Sequence, residues 1–400
     1  MKTESLYSKI SQAGLLLFAF SIPISHVPAQ FGIGIAFLGW LGEGLFNKKW
    51  VVRWHPMFWG LIVYLAWNVI SSALSERPAH SLGAVIDNEW PVFVMLMLYW
   101  TVDDEAFLSR VIHVFLFASG VAVVYSLWQV VGGVELYRGK PLDTMGWGFY
   151  RAVGFYGFYL TFAALAMTVF FFASSFSLEF KKWHTTLLTG LSFLAVLGTF
   201  ARSMWLSFLA AIPVFAFTRG RKAGIIVTGV LLVLIAGGIL TVPALRYRAE
   251  SIIEPGQNET RLNLWRTAIR VAEDHPVLGV GEDNWDLVFD RYRVDGYYDT
   301  TVHPHNDYLT VLVSSGFPGL LAFVAMWGVS MARGFRTAHG ARSQVARATA
   351  LGATFSLIGL MIGAMFQNYY GTFINCLGWW FVVGLLLVAE RIGSRTSGEV

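Results

Sequence analysis

Apolar residues in this chain come in blocks of roughly 16–25 residues, each set off by a short polar stretch. A helix needs about 20 apolar residues to cross the hydrocarbon core of a bilayer. Inside lipid every backbone amide must be paired within its own segment, so each block reads as a helix. Twelve spans are predicted, near 11–29, 31–47, 57–75, 85–101, 107–131, 150–176, 184–200, 203–218, 222–243, 305–331, 345–369 and 372–390. Asp87, Asn88, Glu89 and Pro91 interrupt the fourth. Of 400 residues 56% are hydrophobic and only 14% charged, against roughly 25% charged in a soluble domain. The expected fold is therefore all-α, a polytopic integral membrane protein of about twelve transmembrane helices. Helices one to nine fill 1–243, a long loop 244–304, and helices ten to twelve 305–400. The basic start, MKTESLYSKI, lacks a small-residue cleavage site, so the first block reads as a retained span. The single cysteine, Cys376, excludes an intrachain disulfide.

Positive residues in short loops mark the cytoplasmic side. Lys48, Lys49 and Arg53 follow span two, Lys181 and Lys182 span six, and Arg219, Arg221 and Lys222 span eight. Arg333, Arg336, Arg342 and Arg347 follow span ten, and Arg391 and Arg395 the last. All fall on one side if both termini are cytoplasmic. This bias accounts for the net charge of +4 without a nucleic-acid partner. The acidic run Asp103-Asp104-Glu105 reads as a solvated loop on that side.

The long loop lies on the outer face, and loops of that length are usually functional or disordered. Asn258 or Thr260 can cap a helix running to His275-Pro276. Leu262, Trp265, Ile269 and Ala272 would form its apolar face, and Arg266, Arg270 and Glu273 its polar one. A turn-rich link, Leu278-Gly279-Val280-Gly281, follows.

Five features point to chemistry. Arg202 stands between two short spans, and a charge at the bilayer centre costs about 2.5–3.5 kcal/mol. It either faces a wet cavity and binds an anion or snorkels to the surface. Arg261 sits in the first turn of the loop helix, where the dipole disfavours a cation. An anion shared with the free amides would explain it; an idle exposed arginine is the plain alternative. His303-Pro304-His305-Asn306 ends the loop. A histidine near a helix N-terminus is biased towards neutral imidazole, which accepts protons at physiological pH. Asp307 is near enough in sequence to orient His305. Metal binding by the histidines with Glu282, Asp283 and Asp286, or simple helix capping, are the competing roles. Gly316, Pro318 and Gly319 break span ten, and Gln367, Asn368, Tyr369 and Tyr370 cluster at the outer end of span eleven, where they would contact a sugar or mark the interfacial belt.

His305-Asn306, nine residues, then Gly316 resembles the His-Asn/Ser/Gln-x9-Gly signature of the O-antigen ligase and O-antigen polymerase superfamily. Phe200-Ala201-Arg202-Ser203 is similar to that family's short arginine motif. Arg261-x3-Trp265 and Pro276-x2-Gly279-x-Gly281 are similar to its loop pattern. The likeness covers about residues 185–330; before that only hydropathy agrees.

The resemblance implies a metal-independent, membrane-embedded glycosyltransferase of the GT-C type, without cofactor. It would sit in the bacterial inner membrane with its long loop and active site periplasmic. Its donor would be a glycan on undecaprenyl pyrophosphate. Arg202 and Arg261 would bind the pyrophosphate, and His305 would act as general base. Trp265, His303 and Asn306 would line the substrate site. A ligase transfers to a sugar of the lipid A core, completing lipopolysaccharide; a polymerase uses a second lipid-linked repeat. Ligase is favoured by the single dominant loop. A transporter for a lipid-linked glycan is the rival class, but it needs no base beside its arginines, and no inverted repeat is visible. The sugars and the oligomeric state are not readable from the sequence.

Overall fold

The computed structural model describes residues 5–394; Arg395 and the first four residues of the basic start lie outside the described residues. Each predicted span carries a helix. The chain opens with α1 (Leu6–Ser21), α2 (His26–Phe46) and α3 (Met57–Ala73). The interrupted fourth span is two helices, α4 (Pro78–Glu89) and α5 (Val92–Thr101), bent by 41°. Pro91 lies at the break, where it has no N–H to continue the helical ladder. In α6 (Glu105–Gly132) the Asp104 side chain accepts from Phe107 N–H at 2.7 Å to cap the start, and Gly133 ends it at φ +68°.

The expected span 150–176 begins later than its hydropathy suggested. Two small antiparallel ladders precede it, β1 (Val134–Glu135) with β2 (Lys140–Pro141) and β3 (Thr144–Gly146) with β4 (Phe149–Tyr150). Gln129 of α6 holds the turn that follows: its Oε1 accepts from Val153 and Gly154 N–H at 3.0 and 2.8 Å. The helix itself, α7 (Tyr159–Phe180), starts only after this turn. Next come α8 (Trp183–Gly198), α9 (Arg202–Phe217) and α10 (Arg221–Thr241).

The long loop holds α11 (Pro243–Ile253), a 3-10 turn (Pro255–Asn258), α12 (Glu259–Asp274) and α13 (Trp285–Tyr292). The last helices are α14 (Asp307–Gly340), α15 (Gln344–Gly363) and α16 (Phe373–Ser394). α7, α15 and α16 form the centre of the bundle, with Trp379 and Trp380 fully buried beside Trp327 of α14. Cys376 is packed there as a free thiol.

Among the described residues seven helices are long and apolar enough to cross a membrane, or eight if α4 and α5 form one bent span. α3, α8 and α9 are shorter apolar helices. The protein is thus a polytopic helical membrane protein, but a count of twelve exceeds what helix length and composition support.

The basic residues of the expected cytoplasmic loops gather at one end. Arg53 donates to Trp100 O at 3.0 Å and Arg391 to Tyr99 O at 2.5 Å. Arg333 Nε donates to Glu390 Oε2 at 3.1 Å. Arg347 and Arg219 both pair with Glu179, at 3.1 and 3.5 Å.

In the loop, α12 buries Asn263, Leu264, Thr267, Ala268, Val271 and, of the expected apolar face, Ala272, while Leu262 and Ile269 are exposed. The inward face packs against α13 and Val313. Small polar residues tolerate this because each finds a partner: Asn263 Nδ2 donates to Tyr297 O at 3.2 Å, and Thr267 Oγ1 to Asn263 O at 2.8 Å.

The loop locks onto a kink in α14. Gly316 adopts φ +66° and ψ −172°, open only to glycine. The kink removes carbonyls 313–315 from the helical ladder. Val280 and Gly281 N–H donate to Val313 O and Ser314 O at 2.8 and 2.9 Å. Trp67 Nε1 donates to Ser315 O at 2.8 Å. In return Phe317 N–H reaches Pro276 O at 2.8 Å. A Cβ on Gly316 would sit 2.2 Å from Val277 O, and one on Gly279 2.5 Å from Val313 O. The glycines of the two separated motifs thus meet in one backbone interlock, which fixes where the loop sits over the bundle.

Candidate functional site

Arg202 is the first residue of α9 and follows a tight turn in which Phe200 has φ +52°. Its guanidinium is half-buried and reaches across to the loop: Nη1 donates to Ser251 O and Nη2 to Gln257 O at 3.4 Å. Both acceptors are neutral carbonyls, so the positive charge is not cancelled. Arg261, third residue of α12, has no hydrogen-bond or ion-pair partner among the described residues. Asn258 precedes α12 but does not cap it; its Nδ2 instead donates to Glu254 O at 2.8 Å and Ile252 O at 3.1 Å. The first-turn amides of α12 therefore lack a side-chain cap, which adds a partial positive charge beside Arg261.

Arg202 and Arg261 line one cavity of about 330 Å³ with Ser203, Ile253, Trp265 and Phe366. Trp265 stacks obliquely on Phe366, ring centroids 6.3 Å apart, and its buried Nε1 has no acceptor. A cavity with two uncompensated guanidiniums, an uncapped helix start and a free indole N–H is built for an anion.

His305 lies next to this cavity, just before α14, at φ +52°. Its conformation is held from both sides. His303 Nδ1 accepts the His305 backbone N–H at 3.1 Å, and the two rings lie 4.2 Å apart. On the side chain, Nδ1 faces Gln367 Oε1 at 2.9 Å. An amide oxygen can only accept, so Nδ1 carries the proton and Nε2 is the basic nitrogen. Nε2 is buried and has no partner. Burial lowers the His305 pKa, Gln367 works against that, and nearby Arg261 lowers it further. Burial and His305 push His303 down to about 4, so both rings stay neutral over the physiological range.

Asp307 does not orient His305. As the first residue of α14 it turns into the bundle, accepting backbone N–H groups of Tyr369 and Tyr370 at 2.8 Å and of Gly371 at 3.1 Å. It thereby fixes the turn that presents Gln367, the actual partner of the imidazole. Asn306 Oδ1 caps α14 by accepting from Leu309 N–H at 3.1 Å. His303, Asn306 and Asp307 thus hold backbone in place, while Arg202, Arg261 and Trp265 line the cavity and His305 lies close to Arg261. Gln367 was legible only as one of four polar residues closing an apolar run. Among the described residues no group of three or more His, Cys, Asp or Glu is arranged to hold a metal ion.

None of the curated proteins matches the chain. Among solved structures it is similar to a chain of the one described as "Structural coordination of polymerization and crosslinking by a peptidoglycan synthase complex". The identity is 13%, over 87% of this chain and 100% of that chain, with a TM-score of 0.50. At that identity the likeness shows a shared fold alone. Residues 187–324 match the family model described as O-Antigen ligase. That stretch runs from α8 to beyond the kink of α14, and contains Arg202, Arg261, Trp265, His305 and Gly316. This match over most of the region that builds the site supports a place for the chain in the O-antigen ligase and polymerase superfamily.

Proposed function

We propose that this protein is an O-antigen ligase. It transfers a glycan from undecaprenyl pyrophosphate to a sugar of the lipid A core at the periplasmic face of the inner membrane, with both termini cytoplasmic. The observation that supports this reading best is the unpartnered Nε2 of His305, held beside a cavity with two uncompensated arginines. A transporter needs the arginines but has no use for an oriented, neutral imidazole.

The acceptor hydroxyl gives its proton to His305 Nε2 as its oxygen attacks the anomeric carbon of the donor sugar. The bond from that carbon to the pyrophosphate oxygen breaks, and the lipid pyrophosphate leaves with the electron pair. Arg202, Arg261 and the α12 amides stabilise the charge that develops on it, which is most effective where water is excluded. Arginine suits the task because its donors fork and its charge is permanent. The leaving group is already activated, so neither ATP nor a metal ion enters the scheme. Trp265 packs at the donor, and the loop 244–304 carries the site over the helices 1–243 and 305–400.

A deletion strain scored on a polysaccharide gel tests this. Long glycans remaining on the lipid carrier beside bare core are expected. Core bearing a single repeat would make the protein a polymerase instead.

A further inference from the structure

The positive charge around Arg202 does not end at the cavity. Arg248 of α11 lies on its other side, and its Nε donates to Phe200 O at 2.9 Å, in the turn that precedes Arg202. Arg151 follows β4, and its guanidinium lies 4.1 Å over the ring of Tyr159 at the start of α7. Arg151 Nε is buried without a hydrogen-bond partner. Its one ion pair, at 3.3 Å, is to the exposed Asp143. Arg248 has no carboxylate partner among the described residues. Four elements distant in sequence therefore bring Arg151, Arg202, Arg248 and Arg261 to one end of the bundle. Burial first, then Arg151 and Arg202, lower the Arg248 pKa to about 10.

Half-buried guanidiniums repel one another, and an arrangement that keeps four together against one exposed acid, Asp143, is stabilised by an anion. Arg202 and Arg261 face the cavity; Arg151 and Arg248 do not line it. They lie at Tyr159 and at the Phe200 carbonyl.

We propose that Arg151 and Arg248 form a second phosphate subsite adjoining the one made by Arg202 and Arg261. Under the functional reading above, on which this rests, it takes the second phosphate of the donor pyrophosphate. A phosphate of a lipid headgroup is the other source of the same chemistry. Arg248 also holds the Phe200 turn, so it positions Arg202 as well as presenting charge. Arg151 has no such second role, which makes it the cleaner probe.

The test is binding of undecaprenyl pyrophosphate and undecaprenyl monophosphate to the full chain in neutral detergent, for wild type, R151Q and R151Q/R248Q. Wild type is expected to prefer the pyrophosphate by at least about tenfold, close to 1.4 kcal/mol. R151Q should cut that preference several-fold with monophosphate affinity and melting temperature kept, and the double variant should abolish it while also weakening monophosphate binding modestly through Arg202. If the preference survives but association with phosphatidylglycerol nanodiscs falls, the subsite stands with the headgroup as its source. Equal loss of both lipids together with a lower melting temperature would overturn the proposal in favour of a packing role. So would variants unchanged in every assay. A wild type that binds neither lipid would overturn the donor reading itself, and the subsite with it.

Discussion

The imidazole of His305 and the amide of Gln367 meet at 2.9 Å, across 62 residues of sequence. This bond fixes which ring nitrogen is basic and leaves it buried without a partner, near Arg261. Burial meanwhile keeps the imidazole below the ordinary histidine range. A base is useful only when unprotonated, so transfer should hold as pH falls past about 6.5, the unperturbed histidine value. It should drop only when pH passes the lower folded pKa. Gln367→Glu adds a carboxylate that favours imidazolium, so the acidic limb of kcat/KM should move up by about one pH unit or more. An unchanged limb would remove Gln367 from the account.

Arg202→Lys keeps a charge but loses the fork that reaches both Gln257 O and an anion. Donor binding should weaken by about tenfold or more at normal protein levels, and Arg261→Ala should behave likewise. Full activity in Arg202→Ala would mean that the guanidinium merely reaches the surface.

Gly316→Ala tests the interlock. The residue would need a conformation reserved for glycine, and its Cβ would meet Val277 O at 2.2 Å. The backbone cost alone is about 1–3 kcal/mol. A lower melting temperature in detergent, and greater protease sensitivity in the loop than in the bundle, are the expected readouts. Unchanged melting would show that the loop is held by its side chains instead.

The charge bias sets topology. Reporter fusions at Lys182, Lys222 and Gly340 should read cytoplasmic, and those at Gly256 and Tyr297 periplasmic. A cytoplasmic signal at Gly256 would place the site on the wrong side of the membrane for a lipid-linked donor.

Much of this was legible in the sequence because lipid permits few backbone solutions. The hydropathy blocks located the helices, and Gly316, Pro318 and Gly319 located the kink. What hydropathy does not encode is partner choice. It extended the sixth span over Arg151–Phe158, where an aromatic-rich turn is as apolar as a helix but is held by Gln129. It put Leu262 and Ile269 on the apolar face of α12 with Ala272, whereas the inward face joins Leu264, Ala268 and Val271 to Asn263 and Thr267, which bond to the chain. Sequence proximity favoured Asp307 over Gln367 as partner of His305, yet a residue at a helix start can point away from its neighbour. Arg248 gave no signal at all, since its role depends on a carbonyl at Phe200, 48 residues away.

The claim at the centre of the account is that His305 acts as base while the arginines hold the donor. His305→Ala, measured for glycan transfer and separately for donor binding, tests it most directly, with His303→Ala alongside. General-base help is worth about 10²–10⁴-fold, so transfer should fall at least about a hundredfold with donor affinity kept. His303→Ala should be milder, since it loses only the bond to the His305 backbone. A His305→Ala protein that transfers at the wild-type rate, or one that no longer binds donor, would contradict the account.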